Sequence, residues 1–296
     1  MDGTKLVIAT DLSEHAAPAA RWARDVAERA GLEVTVGYVV PLNVPNWISG
    51  AYDLEENPEV RQRAEAKAFD WYRDATGDDP DDVDVRAGTP RVQLSEMGRQ
   101  DDVAALVIGM SGKGALGKIL VGSTASALAQ EPPCPVVVVH PEHPGLEPGH
   151  TITVGTDFSP AADAAVDFAA DLSETLSERL RIVYASTEDL DGTIEVDELP
   201  DGLRPETIRD AVQKRLDDLE ARCADRLSEG VETTIAEGSA SKAISGIATD
   251  TEVGIAVVGQ SHRGSVTQSI LGSVALKLLQ GTPASLIVVP EDRTQD

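Results

Sequence analysis

Positive charge is scarce in this sequence. Lysine occurs seven times and arginine eighteen, against 51 Asp and Glu, for a formal net charge of −26 over 296 residues. A surface of that sign repels phosphodiester backbones and anionic headgroups, so no nucleic acid and no membrane is expected as a partner. The charge is not a tail: residues 1–148 carry 24 acids and 13 bases, and residues 149–296 carry 27 and 12. Self-repulsion of this kind is tolerated where salt screens it, to a Debye length of ~3 Å at 1 M. The composition reads as the cytoplasm of a salt-accumulating, halophilic cell; the alternative is an unusually acidic mesophile protein.

Other absences narrow the class further. No apolar run is long enough to cross a bilayer, and the chain passes from its first residues straight into a strand-like segment. The expectation is a cytoplasmic protein with neither transmembrane span nor signal peptide. The two cysteines, Cys134 and Cys223, lie in different halves, which gives no disulfide framework and suits a reducing compartment. No Cys/His cluster has zinc spacing, and no Ser-His-Asp or paired-carboxylate arrangement stands out, so no catalytic residue and no protein-held metal is assigned. His140 and His143, with His150 nearby, fall in a Pro/Gly-rich stretch and are expected to face solvent.

What the sequence does contain is a repeat. The segment beginning at Leu6 is echoed from Thr153, with Asp-x-Ser at Asp11–Ser13 and again at Asp157–Ser159. Further on, an offset of 150 aligns Gly88 with Gly238, Gly109 with Gly259, Gly122 with Gly272 and Pro133 with Pro283. The period is too long for a solenoid unit, so each copy is a domain. The expected limits are 1–143 and 149–292, joined by a Pro- and Gly-rich linker over 141–150.

Each copy runs through the same order of elements. A short apolar run (Lys5–Thr10; Ile152–Thr156) precedes Asp-x-Ser and a helix. Ser13 and Ser159 are the expected caps, Pro160 takes the first helical position, and Ala19, Ala23, Val26, Ala27 and Ala30 form the buried stripe of the first copy. Ala162, Ala165, Val166 and Ala169 do the same in the second. A second strand (Glu33–Val40; Arg181–Ser186) leads to a longer helix, near Glu59–Thr76 and Pro205–Ser228. A third strand ends at Gly88 or Gly238 and another helix follows. The fourth strand (Ala104–Ile108; Gly254–Val258) runs into a Gly-rich loop and helix, and the last is Val136–Val139 or Ser285–Val289. Strands that are apolar throughout and alternate with helices predict an α/β fold with a parallel sheet covered on both faces.

The Gly-rich loop is the segment best suited to chemistry. It reads Gly109-Met110-Ser111-Gly112, then nine residues, then Gly122-Ser123-Thr124. Glycines after a buried strand let backbone amides approach a phosphate without a Cβ in the way. Gly122-Ser123 opens a helix whose free N–H groups favour an anion, and the Ser123 and Thr124 hydroxyls add donors. Acids are withheld here: residues 103–130 and 253–290 contain none, although 51 of 296 residues are acidic. The strands flanking the loops would lack acids in any case. Gly112–Lys118 has Walker A spacing, but Ile119 stands where a Ser/Thr hydroxyl must hold Mg²⁺. Lys113 and Lys118 either touch phosphate or are solvated loop lysines. Asp11 and Asp157 admit two readings, a carboxylate accepting from a ribose or adenine edge, or the start of a turn.

These residues resemble the universal stress protein family, specifically its tandem two-domain members and a haloarchaeal representative. The likeness covers nearly the whole chain: first-strand Asp-x-Ser, Gly at the third-strand end, and Gly-x2-Gly-x9-Gly-(Ser/Thr) before the last helix. It implies two domains, each a five-stranded parallel sheet of adenine-nucleotide α-hydrolase-like, Rossmann-like type. It implies ATP or another adenine nucleotide, with Mg²⁺ possible, and pairing of the two domains through their last strands within one molecule. A further homodimer stays open. Asp11 and Val39 would line the adenosine end, and Gly109, Gly112, Gly122, Ser123 and Thr124 would hold ribose and phosphates. The counterparts are Asp157, Ala185, Gly259, Gly272 and Ser273, with His262 where Gly112 stands in the first copy. His262 either blocks backbone approach or offers a ring N–H; the expectation is a weakened or altered second site.

The function expected is a stress-response regulatory protein that binds an adenine nucleotide, mainly in its first domain. The alternatives are a nucleotide-independent interaction protein of the same fold, and a slow ATPase. No general base, arginine finger or Walker-type metal ligand is evident, so any hydrolysis should be weak.

Overall fold

The computed structural model describes residues 3–41, 54, 57–113, 119–142, 146, 149–187, 190, 207–250, 254–260, 273–281 and 284–291. The first copy runs β1 (Lys5–Thr10), a 3-10 turn (Glu14–Ala16), α1 (Ala17–Ala30), β2 (Glu33–Pro41), α2 (Pro58–Thr76) and β3 (Asp82–Gly88). It continues through α3 (Pro90–Gly98), β4 (Val103–Gly109), β5 (Ser111–Lys113), β6 (Ile119–Leu120), α4 (Ser123–Gln130) and β7 (Val136–Val139). The second copy repeats the order with β8 (Thr151–Thr156), α5 (Pro160–Leu176), β9 (Arg179–Ser186), α6 (Ile208–Ala224) and β10 (Val231–Glu237). It closes with α7 (Ala240–Asp250), β11 (Ile255–Gln260), α8 (Ser273–Gly281) and β12 (Ser285–Pro290). Among the described residues no helix is long and apolar enough to cross a membrane.

Five parallel strands make up each copy's sheet, in the order β3-β2-β1-β4-β7 and, in the second copy, β10-β9-β8-β11-β12. Continuous apolar sequence explains the arrangement. β4 is buried from Val103 to Ile108, and all four valines of β7 are fully buried, so at these central strands neither sheet face meets water. The chain turns outward from β1 through β2 to β3, then returns to the other side of β1 for β4. The switch point between β1 and β4 opens a crevice at the strands' carboxyl ends, where such sheets bind ligands.

The two five-stranded sheets meet edge to edge. β7 and β12 pair antiparallel, with Val138 opposite Leu286, Val137 opposite Ile287 and Val136 opposite Val288, which makes one ten-stranded sheet. One apolar cluster covers one face of it and a second covers the other, and both contain residues from the two copies. Fully burying one large apolar side chain, such as Leu172 or Leu180, contributes roughly 1.5–3 kcal/mol, so the shared core is a large term.

Helix stripes and stops follow the residues. Ala19, Ala23, Val26 and Ala27 are buried with Trp22, while Ala30 is half-buried at the helix end. Ala162, Ala165, Val166 and Ala169 are all buried. Gly31 and Gly77 close α1 and α2 in the left-handed conformation, with φ of 67° and 86°. The second copy's long helix is shorter than its periodicity suggests. It begins at a capping box, where Thr207 Oγ1 accepts from Asp210 N and Asp210 accepts from Thr207 N, and it ends at Ala224.

Three expectations are corrected. Ser13 does not cap α1: a 3-10 turn intervenes, α1 starts only at Ala17, and the Ser13 hydroxyl makes no cap bond. Ser159 does cap α5, accepting from Ala162 N at 3.3 Å, with Pro160 at the first helical position. The segment after Gly109 is not all loop, because β5 and β6 pair antiparallel. His140 does not face solvent. It is 5% exposed, its backbone N–H donates to the Ser285 hydroxyl at 3.0 Å across the two copies, and its Nδ1 accepts from Glu142 N. It directly follows the seam strand β7 and lies inside the contact between the copies. His150 is half-buried, and His143 lies outside the described residues.

Candidate functional site

The site is built from the end of β1 outward. Thr10 Oγ1 accepts the Leu12 N–H at 2.9 Å, and Asp11 Oδ1 accepts the Ser13 N–H at 3.0 Å. These two bonds hold Leu12 at φ 63°, a left-handed conformation that costs a non-glycine residue roughly 1–2 kcal/mol. The second copy reproduces the turn: Phe158 N donates to Thr156 Oγ1 and Ser159 N to Asp157 Oδ1, both at 3.0 Å, with Phe158 at φ 61°. Each aspartate therefore commits one carboxylate oxygen to a turn while the residue stays exposed. Turn-building alone accounts for the recurrence of Asp-x-Ser.

β4 ends at Gly109, which the turn overlies. A Cβ on Gly109 would stand 2.8 Å from the His15 carbonyl oxygen and 3.3 Å from Ala16 Cα. Gly259 is tighter, with its Cβ 2.2 Å from the Ala161 carbonyl oxygen. The space left by the missing side chain is filled by the backbone leading into the next helix. Close packing of strand end on helix start is what these two glycines supply on that side. Gly88 and Gly238 serve conformation instead, with φ of 130° and 105°.

Gly122 is the N-cap of α4, at φ −63° and ψ 153°, and it offers no side-chain cap. Its carbonyl accepts from Ser126 N at 2.9 Å, so the amides of the first turn have no partner within the helix. That turn, Ser123 to Ala125, faces the end of β1 across a cavity of ≈ 430 Å³. The cavity is within the roughly 300–1,000 Å³ usual for small-molecule sites. Its floor is the β1–β4 switch point, from Ala9 to Asp11 and from Ile108 to Met110. One wall is apolar, with Val39, Pro90 and Leu94; the opposite rim carries Ser123 and Thr124.

Six of the seven residues singled out in the first copy meet at this cavity: Asp11, Val39, Gly109, Gly122, Ser123 and Thr124. Gly112 lies on β5, and its surroundings are outside the described residues. In the second copy Asp157 sits in its turn, Ala185 on β9 and Gly259 on β11, while Ser273 begins α8. His262 and Gly272 lie outside the described residues. Sequence reasoning missed Thr10, His15, Tyr38 and Met110, all of which line the cavity. Thr10 had a signal, since Thr156 recurs at the same place in the repeat. His15 had none, because Ala161 replaces it in the second copy.

Fold and site together define a tandem α/β protein with a cavity at the switch point of its first sheet. The model of the universal stress protein family matches residues 4–140 and 149–290, and the chain belongs to that family. A universal stress protein of Mycobacterium tuberculosis (strain H37Rv) is 30% identical over 205 residues, which span 66% of this chain and 66% of the relative. The matched region is thus just under two thirds of that relative's length. One from Methanocaldococcus jannaschii is 29% identical over 143 residues, 46% of this chain and 81% of the relative. Among solved structures, a universal stress protein from Archaeoglobus fulgidus superposes with a TM-score of 0.70 at 21% identity, covering 97% of this chain and 98% of that one. A putative universal stress protein from Pseudomonas aeruginosa gives 0.59 at 14% identity, covering 98% and 93%. At these identities the structural likeness concerns the fold alone.

Proposed function

We propose that this protein is a stress-response regulatory protein that binds ATP or another adenine nucleotide in its first domain. The observation that carries the reading is the convergence of Asp11, Val39, Gly109, Gly122, Ser123 and Thr124 on one ≈ 430 Å³ cavity at the switch point. The residues fit the ligand. The apolar side at Val39 and Leu94 suits a base, the second Asp11 oxygen suits a ribose hydroxyl, and the open first turn of α4 suits phosphates. Phosphate held there would carry Mg²⁺ with it, since no Walker-type hydroxyl is placed to hold the ion. The second domain binds nucleotide weakly or not at all, because His262 replaces the glycine of the first-copy loop.

The two domains, 1–143 and 149–292 with the linker 141–150, pair within one molecule through their last strands. Supporting this are the β7–β12 register and the His140–Ser285 hydrogen bond that crosses it. The acid-rich surface suits the cytoplasm of a halophile.

Calorimetric titration with MgATP in multimolar KCl tests the reading, on the wild type and Gly122→Val. Gly122 has backbone angles open to any residue, so the substitution adds no backbone strain, and a thermal melt of the variant checks that it is folded. Micromolar binding, about −8 kcal/mol, that is lost in Gly122→Val is the expected result. A folded wild type that binds no adenine nucleotide would leave the nucleotide-independent interaction protein as the better reading.

A further inference from the structure

The second domain carries a feature that the nucleotide cavity does not use. Between α7 and α8 lies a cavity of ≈ 390 Å³ lined by Ser239, Ser241, Lys242, Ser245, Lys277 and Gly281. Two of the chain's seven lysines meet there, and no carboxylate is among the lining residues. In a protein of net charge −26, a cavity lined by two lysines and no carboxylate runs against the overall charge.

Local geometry adds donors to the charge. Ser239 stands just before α7, and its carbonyl accepts from Lys242 N at 2.9 Å and Ala243 N at 3.0 Å. The amides ahead of Lys242 are left at the open, positive end of the helix. Ser241 supplies an independent sign of a ligand. It is only 7% exposed, it lines the cavity, and its hydroxyl has no hydrogen-bond partner among the described residues. The oxygen itself is not shut off from solvent, so it stands open to the cavity as a donor.

The first domain shows what the same place looks like without such a site. The repeat offset of 150 sets Ser241 against Arg91, Lys242 against Val92, Lys277 against Ala127 and Gly281 against Glu131. There Arg91 and Glu131 form an ion pair at 3.7 Å, which neutralises the spot internally. In the second domain both members of that pair are gone, and the lysines stand in without an acid.

We propose that the α7–α8 cavity of the second domain is an anion site for a small phosphate-bearing solute. The lysine ammonium groups, the Ser241 hydroxyl and the first-turn amides of α7 are its donors. It is separate from the nucleotide cavity, which lies at strand ends in the other domain and shares no residue with it.

Amide chemical-shift mapping of the full-length ¹⁵N-labelled chain tests this, with inorganic pyrophosphate added at constant ionic strength in KCl. Saturable shifts at Ser239, Ser241 and Lys242 are expected. They should persist in Gly122→Val, which separates this site from the nucleotide site, and weaken about tenfold or more in Lys242→Gln/Lys277→Gln. Both lysines are exposed, so the double variant should keep wild-type dispersion elsewhere. Shifts that do not saturate, or that are unchanged in the double variant, would overturn the proposal.

Discussion

The two domains share the turn at the end of their first strand almost bond for bond, and they part at the helix that follows. Thr10 and Thr156, Asp11 and Asp157, Leu12 and Phe158 adopt the same geometry. The first domain then inserts a 3-10 turn that brings His15 to the cavity, whereas the second goes directly from Ser159 into a capped helix. What recurs is explained by folding, because a turn needs its Thr and Asp whether or not a ligand is near. Information about function lies in what differs: His15 against Ala161, Gly112 against His262, and the Arg91–Glu131 pair against Ser241 and Gly281.

The largest expected difference between the domains is steric. Gly259→Ala places a Cβ 2.2 Å from the Ala161 carbonyl oxygen and should cost about 3 kcal/mol; Gly109→Ala, at 2.8 Å, should cost about half that. Denaturant midpoints of the two variants would show it, and equal costs would mean that the strand-to-helix packing is alike in both copies. Next come the turns. Asp11→Ala and Asp157→Ala each remove one hydrogen bond and should lower stability equally, by about 1 kcal/mol. Only Asp11→Ala should also weaken ATP binding, so an equal effect of both on affinity would contradict a difference between the sites.

The caps give a smaller contrast. Ser159→Ala should cost about 1 kcal/mol through loss of the bond from Ala162 N, while Ser13→Ala should stay within about 0.5 kcal/mol of zero. Smallest is a pH effect where the linker meets the second domain. Glu178 is buried and accepts the Gly149 N–H at 3.1 Å. Burial pushes its carboxyl above the usual range, Glu229 adds to the rise, and the Gly149 bond, His150 and Arg29 oppose it. The folded state thus holds this proton more tightly than the unfolded chain. Its stability contribution is present below the unfolded carboxylate range and is lost as pH rises through the folded value. Glu178→Gln keeps an acceptor for Gly149, so melting at about pH 7 should rise by about 2 °C or less, with no gain near about pH 4. A gain at the lower pH would mean that the carboxyl is not held protonated by burial.

Much of this architecture was legible in the residues. Runs such as Val136–Val139 and Lys5–Thr10 have one apolar reading, and the spacing of Ala19, Ala23 and Val26 has one helical period. Repetition of both patterns at a fixed offset made the domain count plain. Where the reading failed, tertiary contact decided. His140 looks like a linker residue in one dimension, but the pairing of β7 with β12 draws it inside. Gly109 reads only as a phosphate glycine in one dimension, and the structure adds a packing demand, the His15 carbonyl against it. Ser13 has the right residue type for a cap, and only the 3-10 turn removes it from that role. Of the cavity, the polar rim was readable from glycine spacing and withheld acids. The apolar wall at Pro90 and Leu94 was not, because it is assembled from a helix remote in sequence.

The most direct measurement is the number of ATP molecules bound per chain at saturation, by equilibrium dialysis in multimolar KCl with Mg²⁺. Wild type, Gly122→Val and Gly272→Val should be compared. One per chain for the wild type and for Gly272→Val, and none for Gly122→Val, is the expected result. Two per chain, with each variant losing one, would contradict the inequality of the two domains.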